Sequence, residues 1–253
     1  MEIGFLNIKF VLIFFRVLAI LWLIPLLSSR TVSTVFKAGF ALILSLAIFE
    51  HVPTAAKNYD SSPLLVAVFK EVFIGMSIGF VVRMAFSAIY AAGDVIGLQT
   101  GLSFARFMDP SMMAQVSVIE SFKNLLAIIV FFTVDAHHLL IRALSKSFDE
   151  IPLGVFFIKP PLFGFLVEIA GRIFAFGLKI GAPVIFVLML VEIILGLLAR
   201  MVPQMNIFIE GLPLKILVSF VILSFSLSFA VPYIGSIFLG VERDVLRLMR
   251  LLS

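Results

Sequence analysis

Six apolar runs, separated by polar or proline-containing breaks, dominate this chain. They cover about Phe10 to Leu27, Val35 to Phe49, Leu64 towards Tyr90, Val116 to Leu144, Leu162 to Leu198 and Leu212 to Leu239. The stretch HVPTAAKNYDSSP, with two prolines, reads as a loop. A second break carries Asp149, Glu150, Pro152, Pro160 and Pro161. No run alternates with a period of two, and the runs are too long for buried strands. The pattern predicts an all-α, polytopic helical membrane-type protein with about six apolar segments. The second run is short of the ~20 residues that cross a bilayer, and the fifth is nearly twice that length. Gly181-Ala182-Pro183 near the centre of the fifth predicts either two packed helices or one bent one. Such lengths suit helices that pack largely on other protein.

One stretch, GDVIGLQTGLSFARFMDPSMMAQ, breaks the apolar pattern near the middle. Gly93, Gly97 and Gly101 recur every four residues, giving one smooth helix face beside Asp94 and Gln99. Gly75 and Gly79 repeat the device earlier, as do Gly177 and Gly181 later. Such faces admit a second backbone, and the polar neighbours point to a protein–protein seam. Asp109-Pro110 then reads as an N-cap and first helical position, so Ser103 to Met108 is expected to be a turn. Irregular backbone at membrane depth must be enclosed by protein or line a cavity. Phe104, Phe107, Met108, Met112 and Met113 surround this turn with bulky or adaptable apolar groups. The expectation is a hydrophobic constriction, against the plainer reading of an exposed loop with ordinary core methionines.

Composition agrees: 62% of residues are hydrophobic, 13% are charged and mean hydropathy is +1.21. The net charge of +4 is scattered, without the basic stripe a nucleic acid requires. Cysteine is absent, which excludes disulfides and thiol chemistry. Arg16 within the first apolar run, and no small-residue cleavage site after it, argue for an uncleaved helix over a signal peptide.

Charges inside apolar helices are costly, so Arg16, Lys70, Glu71, Arg83, Asp94, Asp135, Arg172, Lys179 and Glu192 need partners or water. Glu168 and Arg172 are spaced as a helical ion pair, with Lys179 returning to that face. Asp135, His138, Arg142 and Lys146 form one polar stripe: a solvated helix end, or a seam towards another subunit or a channel. Asp135, His137 and His138 also suggest a proton relay, but adjacent histidines on a helix diverge by about 100°, which disfavours one shared metal. No metal or cofactor motif, nucleophile elbow or catalytic carboxylate pair is present, so the sequence argues against an enzyme. Pro203 is expected to end the fifth helix and free carbonyls that Gln204 and Asn206 satisfy, with Arg200 alongside; a contact with a partner is the alternative. The tail VERDVLRLMRLLS is a basic amphipathic helix, suited to an anionic membrane surface or to a partner.

The segment Gly93 to Pro110 and the later LGLLARMVPQMNIFIEGLPLKI together resemble the two signatures of the FliR family, the R/T-type membrane components of type III secretion export gates. The likeness covers essentially the whole chain, and the GLPLK ending is more similar to the flagellar than to the injectisome version. It implies a single domain over 1–253, with N-terminal helices and a plug segment over 1–115, C-terminal helices over 116–240 and the tail over 241–253. It further implies a non-enzymatic core subunit that forms a helical pore for unfolded export substrates with FliP- and FliQ-type partners. An FlhB-type switch protein and membrane lipid are further implied partners; nucleic acid and cofactors are not. By the same likeness, Phe104, Phe107, Met108, Met112 and Met113 would belong to a plug, and Gly93, Gly97, Gln99 and Gly101 would pack against neighbouring subunits. The implied location is the bacterial inner membrane, in the flagellar basal body. A different class stays open on the residues alone: a small-solute transporter using Asp94, Asp135 and Glu192, with broken helices near the midplane.

Overall fold

The computed structural model describes residues 2–28, 32–53, 63–102, 118–202 and 206–253. The described residues form helices and no strand: α1 (Glu2–Leu23), α2 (Pro25–Ser28), α3 (Thr34–Phe49), α4 (Leu64–Thr100), α5 (Val118–Thr133), α6 (Ala136–Glu150), α7 (Leu162–Met201) and α8 (Ile207–Leu252). Every expected apolar run is helical, but fewer than six qualify as membrane spans. Among the described residues, α4, α7 and α8 are long and apolar enough to cross a bilayer, or four spans if α5 and α6 count as one broken span. Part of the shortfall has local causes. Helix α3 has only 16 residues, a rise of about 24 Å. The fourth run breaks at Asp135, whose left-handed backbone (φ 54°) no helix interior tolerates.

Helix boundaries follow the sequence closely. Helix α1 stops before Pro25, which cannot donate to the preceding turn and instead opens α2. Ser33 caps α3 by accepting the Phe36 N–H at 3.2 Å. Pro160-Pro161 precede α7, and the Phe165 N–H reaches the Pro161 carbonyl at 3.1 Å. The Gly181-Ala182-Pro183 site does not divide the fifth run: α7 continues through Pro183 as a single 40-residue helix. Packing of the flanking Ile180, Val184 and Leu188, all buried, outweighs the one hydrogen bond Pro183 removes.

The chain divides into two compact units. The first holds Met1–Ala85, Val134–Ala170 and Phe238–Ser253; the second holds Phe86–Thr133 and Gly171–Ile237. In the first, Leu12, Ile13 and Val17 of α1, Ile74 and Ile78 of α4, and Phe148 of α6 are buried. The tail belongs to this core. Val241, Val245, Leu248 and Leu252 are all buried, so the amphipathic face packs on the chain itself and not on a membrane surface. The last carbonyls of α8, which no helical N–H can reach, are satisfied by the 152–161 loop. Leu252 O accepts the Phe157 N–H at 3.2 Å, Leu251 O the Lys159 N–H at 3.0 Å, and Arg250 O the Lys159 ammonium at 2.8 Å. In the second unit Ile96, Ile119, Val184, Leu188 and Leu223 form a continuous cluster from α4, α5, α7 and α8.

Candidate functional site

The buried charges organise the first unit. Arg16, inside α1, has its side chain fully buried, as has Glu71 of α4. Its Nε donates to Glu71 Oε2, Nη1 to the Ser147 carbonyl at 2.8 Å and Nη2 to the Ile151 carbonyl at 3.0 Å. The guanidinium also lies 4.3 Å from the centroid of the Phe148 ring. Glu71 Oε1 accepts the Gly154 N–H at 2.8 Å, and the Lys70 ammonium donates to the Gly154 carbonyl at 3.1 Å. Gly154 has φ 76°, a backbone geometry that suits glycine. Thus α1, α4, α6 and the loop after α6 meet at one ion pair with its lone pairs and protons largely satisfied. The sequence flagged Arg16, Lys70 and Glu71 singly. It carried no signal for Ser147, Ile151 or Gly154, whose contributions are mostly main-chain.

Glycine makes that meeting possible. A Cβ on Gly75 would lie 2.5 Å from the Arg16 carbonyl oxygen and 2.8 Å from Ala19 Cβ. One turn further on, a Cβ on Gly79 would lie 2.8 Å from Leu23 Cβ and 2.9 Å from the Ile20 carbonyl. The ridge therefore seats α1 directly on α4, one turn from Glu71. Gly75→Ala is expected to destabilise the chain by about 1–3 kcal/mol, since two backbones must separate. Gly39→Ala, where an added Cβ meets nothing within 4 Å, should be neutral or gain up to about 1 kcal/mol of helix propensity. Thermal unfolding of both variants in detergent checks the contrast; equal midpoints would remove the close-packing argument.

The other charged pairs differ in part from the spacing-based expectation. Glu168 meets Arg247 of the tail at 2.8 Å, and Arg247 lies 5.3 Å from the Phe165 ring centroid. In the polar stripe of α6, Asp135 lies 3.5 Å from His138, and Lys146 lies 3.6 Å from Glu242 of α8. One end of the stripe therefore faces the chain's own tail. In the second unit Lys215 binds Glu192 at 2.6 Å, so Glu192 is engaged by an ion pair. A cavity of about 260 Å³ lies beside Pro183, with Lys179, Ser226 and Tyr233 as its polar lining and no carboxylate among its walls. That does not match a site built from Asp94, Asp135 and Glu192. Lys123 of α5 is fully buried, and its Nζ has no hydrogen-bond partner; no spacing or motif in the sequence singles it out.

The central segment is visible at its edges. Gly93 and Gly97 are buried within the second unit, and Gln99 is half-buried. At Gly101 (φ 80°) α4 stops: its N–H bonds the Leu98 carbonyl at 3.1 Å, and a Cβ there would lie 2.7 Å from Leu212 Cδ1. Thr100 is buried and its hydroxyl donates to the Gly97 carbonyl at 3.0 Å. Phe104, Phe107, Met108, Met112 and Met113 lie outside the described residues, as do Pro203 and Gln204. The helix break expected at Pro203 is present, since α7 ends at Met201 and α8 begins at Ile207. Asn206 is exposed, and its carbonyl accepts the Glu210 N–H at 3.0 Å, opening α8; Arg200 is exposed in the last turn of α7.

Residues 7–241 match the family model of bacterial export proteins, family 1. The flagellar biosynthetic protein FliR of Escherichia coli (strain K12) is 34% identical over 223 residues, covering 88% of this chain and 85% of that protein. Its counterpart in Bacillus subtilis (strain 168) is 34% identical over 235 residues, covering 90% of each. That of Aquifex aeolicus (strain VF5) is 31% identical over 225 residues, covering 87% and 85%. With a helical, apolar fold and both signatures in place, the chain belongs to the FliR family of bacterial export proteins, a non-enzymatic component of flagellar protein export.

Proposed function

We propose that the chain is a core subunit of the flagellar type III export gate, forming a helical pore for unfolded substrates with FliP- and FliQ-type partners in the inner membrane. The observation that carries this reading is the length of the apolar surface on α7. Phe163, Phe174, Phe186, Ile193, Leu197 and Met201 are all exposed along it. From Phe163 to Met201 the rise is about 57 Å. A tilt of ~40° shortens it only to about 44 Å, against a hydrocarbon core of about 30 Å. Lipid cannot cover that whole length, which favours cover by other protein over part of it. An FlhB-type protein is a further proposed neighbour.

In this reading Phe104, Phe107, Met108, Met112 and Met113 plug the pore. Gly93, Gly97, Gln99 and Gly101 shape the seam towards neighbouring subunits next to it, with Val95 and Leu98, exposed on the same helix, on its outward face. Arg200, Pro203, Gln204 and Asn206 form the junction that lets α7 and α8 part.

Native mass spectrometry of the chain in detergent, after co-expression with the P- and Q-type proteins of its own genome, tests the proposal. The expected species is a mixed complex carrying one copy of this chain. A monomer or homo-oligomer that leaves both partners behind would refute it and favour a self-sufficient transporter.

A further inference from the structure

We propose that Asp135, His137 and His138 form a binding site for a divalent transition metal such as Zn²⁺ at the start of α6. On a regular helix the two adjacent imidazoles point apart, and the sequence argued against a shared ion on that ground. The structure evades this by presenting a different nitrogen from each ring. His138 Nδ1 lies 3.5 Å, and His137 Nε2 4.0 Å, from the same oxygen, Asp135 Oδ1. The three donor atoms all lie within 4.8 Å of one another, and the two rings are 4.2 Å apart between centroids.

Asp135 is freed for this role by its backbone. It is the residue that caps α6, yet its carboxylate makes no capping hydrogen bond. Its carbonyl instead accepts the N–H groups of His138 and Leu139 at 3.0 and 3.3 Å. With φ 54° and ψ 26° it is left-handed, a conformation aspartate adopts more readily than most residues. Two imidazoles and one carboxylate suit zinc, cobalt, nickel or copper and do not suit magnesium or calcium. Bonds of ~2.0–2.1 Å to a tetrahedral ion place donors about 3.4 Å apart. The two carboxylate–imidazole distances, 3.5 and 4.0 Å, thus need to close by about 0.1 and 0.6 Å and the two imidazole nitrogens, within 4.8 Å of each other, by at most about 1.4 Å, and Asp135 and His138 are exposed enough to move. Three protein donors leave one position for water. The competing arrangement is a simple Asp135–His138 ion pair.

Isothermal titration of the full chain in detergent with ZnCl₂ tests the site, using Co²⁺ absorption to report coordination. The expected result is one Zn²⁺ per chain and a tetrahedral Co²⁺ spectrum. Asp135→Asn and His138→Ala should each weaken binding at least about tenfold. His51→Ala removes the only other histidine and should change nothing. Zn²⁺ should also raise the unfolding midpoint of the wild-type chain and not that of Asp135→Asn, because a ligand of the native state stabilises it. No saturable binding, binding that survives both substitutions with helicity intact, or binding lost with His51 would each overturn the proposal and leave the ion pair.

Discussion

Arg16→Met is expected to destabilise the chain by about 3–5 kcal/mol, more than the loss of close packing at Gly75. The side chains of Arg16 and Glu71 are both fully buried, and their mutual contact, four main-chain or hydroxyl partners and the Phe148 ring offset the loss of water. Methionine has a similar reach and no charge. It would leave the Glu71 carboxylate buried without its cation and the Ile151 carbonyl without the Arg16 donor, while the Ser147 carbonyl keeps the Ile151 N–H at 3.1 Å. For a chain of this size that corresponds to a midpoint lowered by about 10 °C. Glu71→Met alone should be comparably severe, since it strands the guanidinium and the Gly154 N–H. The double substitution, however, should cost less than the two singles added, by up to about 3 kcal/mol, because no uncompensated charge remains. Thermal unfolding of the four proteins in one detergent measures this cycle. Simple additivity would mean the pair is not the unit the geometry describes.

That pair also marks the limit of what could be read from the chain. The apolar runs, the stops at Pro25 and Pro203 and the start of α7 after Pro160-Pro161 were legible because each depends on neighbours in sequence. The need of Arg16 and Glu71 for partners was legible too, as an energetic debt in apolar surroundings. Their mutual satisfaction was not, because 55 residues separate them and main-chain groups complete the set. The Gly75 and Gly79 ridge was read as a packing face, but its occupant, α1 of the same chain, required the structure. Of the two readings left open at Pro183, two packed helices or one bent one, the structure has a single helix, because the buried contacts around Pro183 outweigh its local propensity. The amphipathic tail misled: its apolar face was recognised, yet the pattern is identical whether that face meets lipid or protein. Asp135 is the opposite case. Its left-handed turn has no pattern in sequence, and it alters which atoms of His137 and His138 face one another.

Deleting Phe104 to Met108, or replacing Met108, Met112 and Met113 with glycine, is expected to make the closed gate leak ions by an order of magnitude or more over background. Gly101 turns the chain out of α4 under Leu212, and the sequence that follows is rich in Phe and Met. In a pore, such side chains exclude water, and a dewetted constriction blocks ions without any charged barrier. Methionine adds a flexible thioether that fills irregular gaps and yields when a polypeptide passes. Glycine substitution removes both volume and hydrophobicity while leaving the chain length unchanged; the deletion removes the obstacle outright. Single-channel recording of the assembled gate in planar bilayers reads the effect, with co-purification of P- and Q-type partners as the control for assembly. An intact complex that stays electrically silent in both variants would place the seal elsewhere in the gate. A leak in the deletion alone would assign the seal to Phe104 and Phe107, the aromatic half of the segment, with the methionines serving as packing.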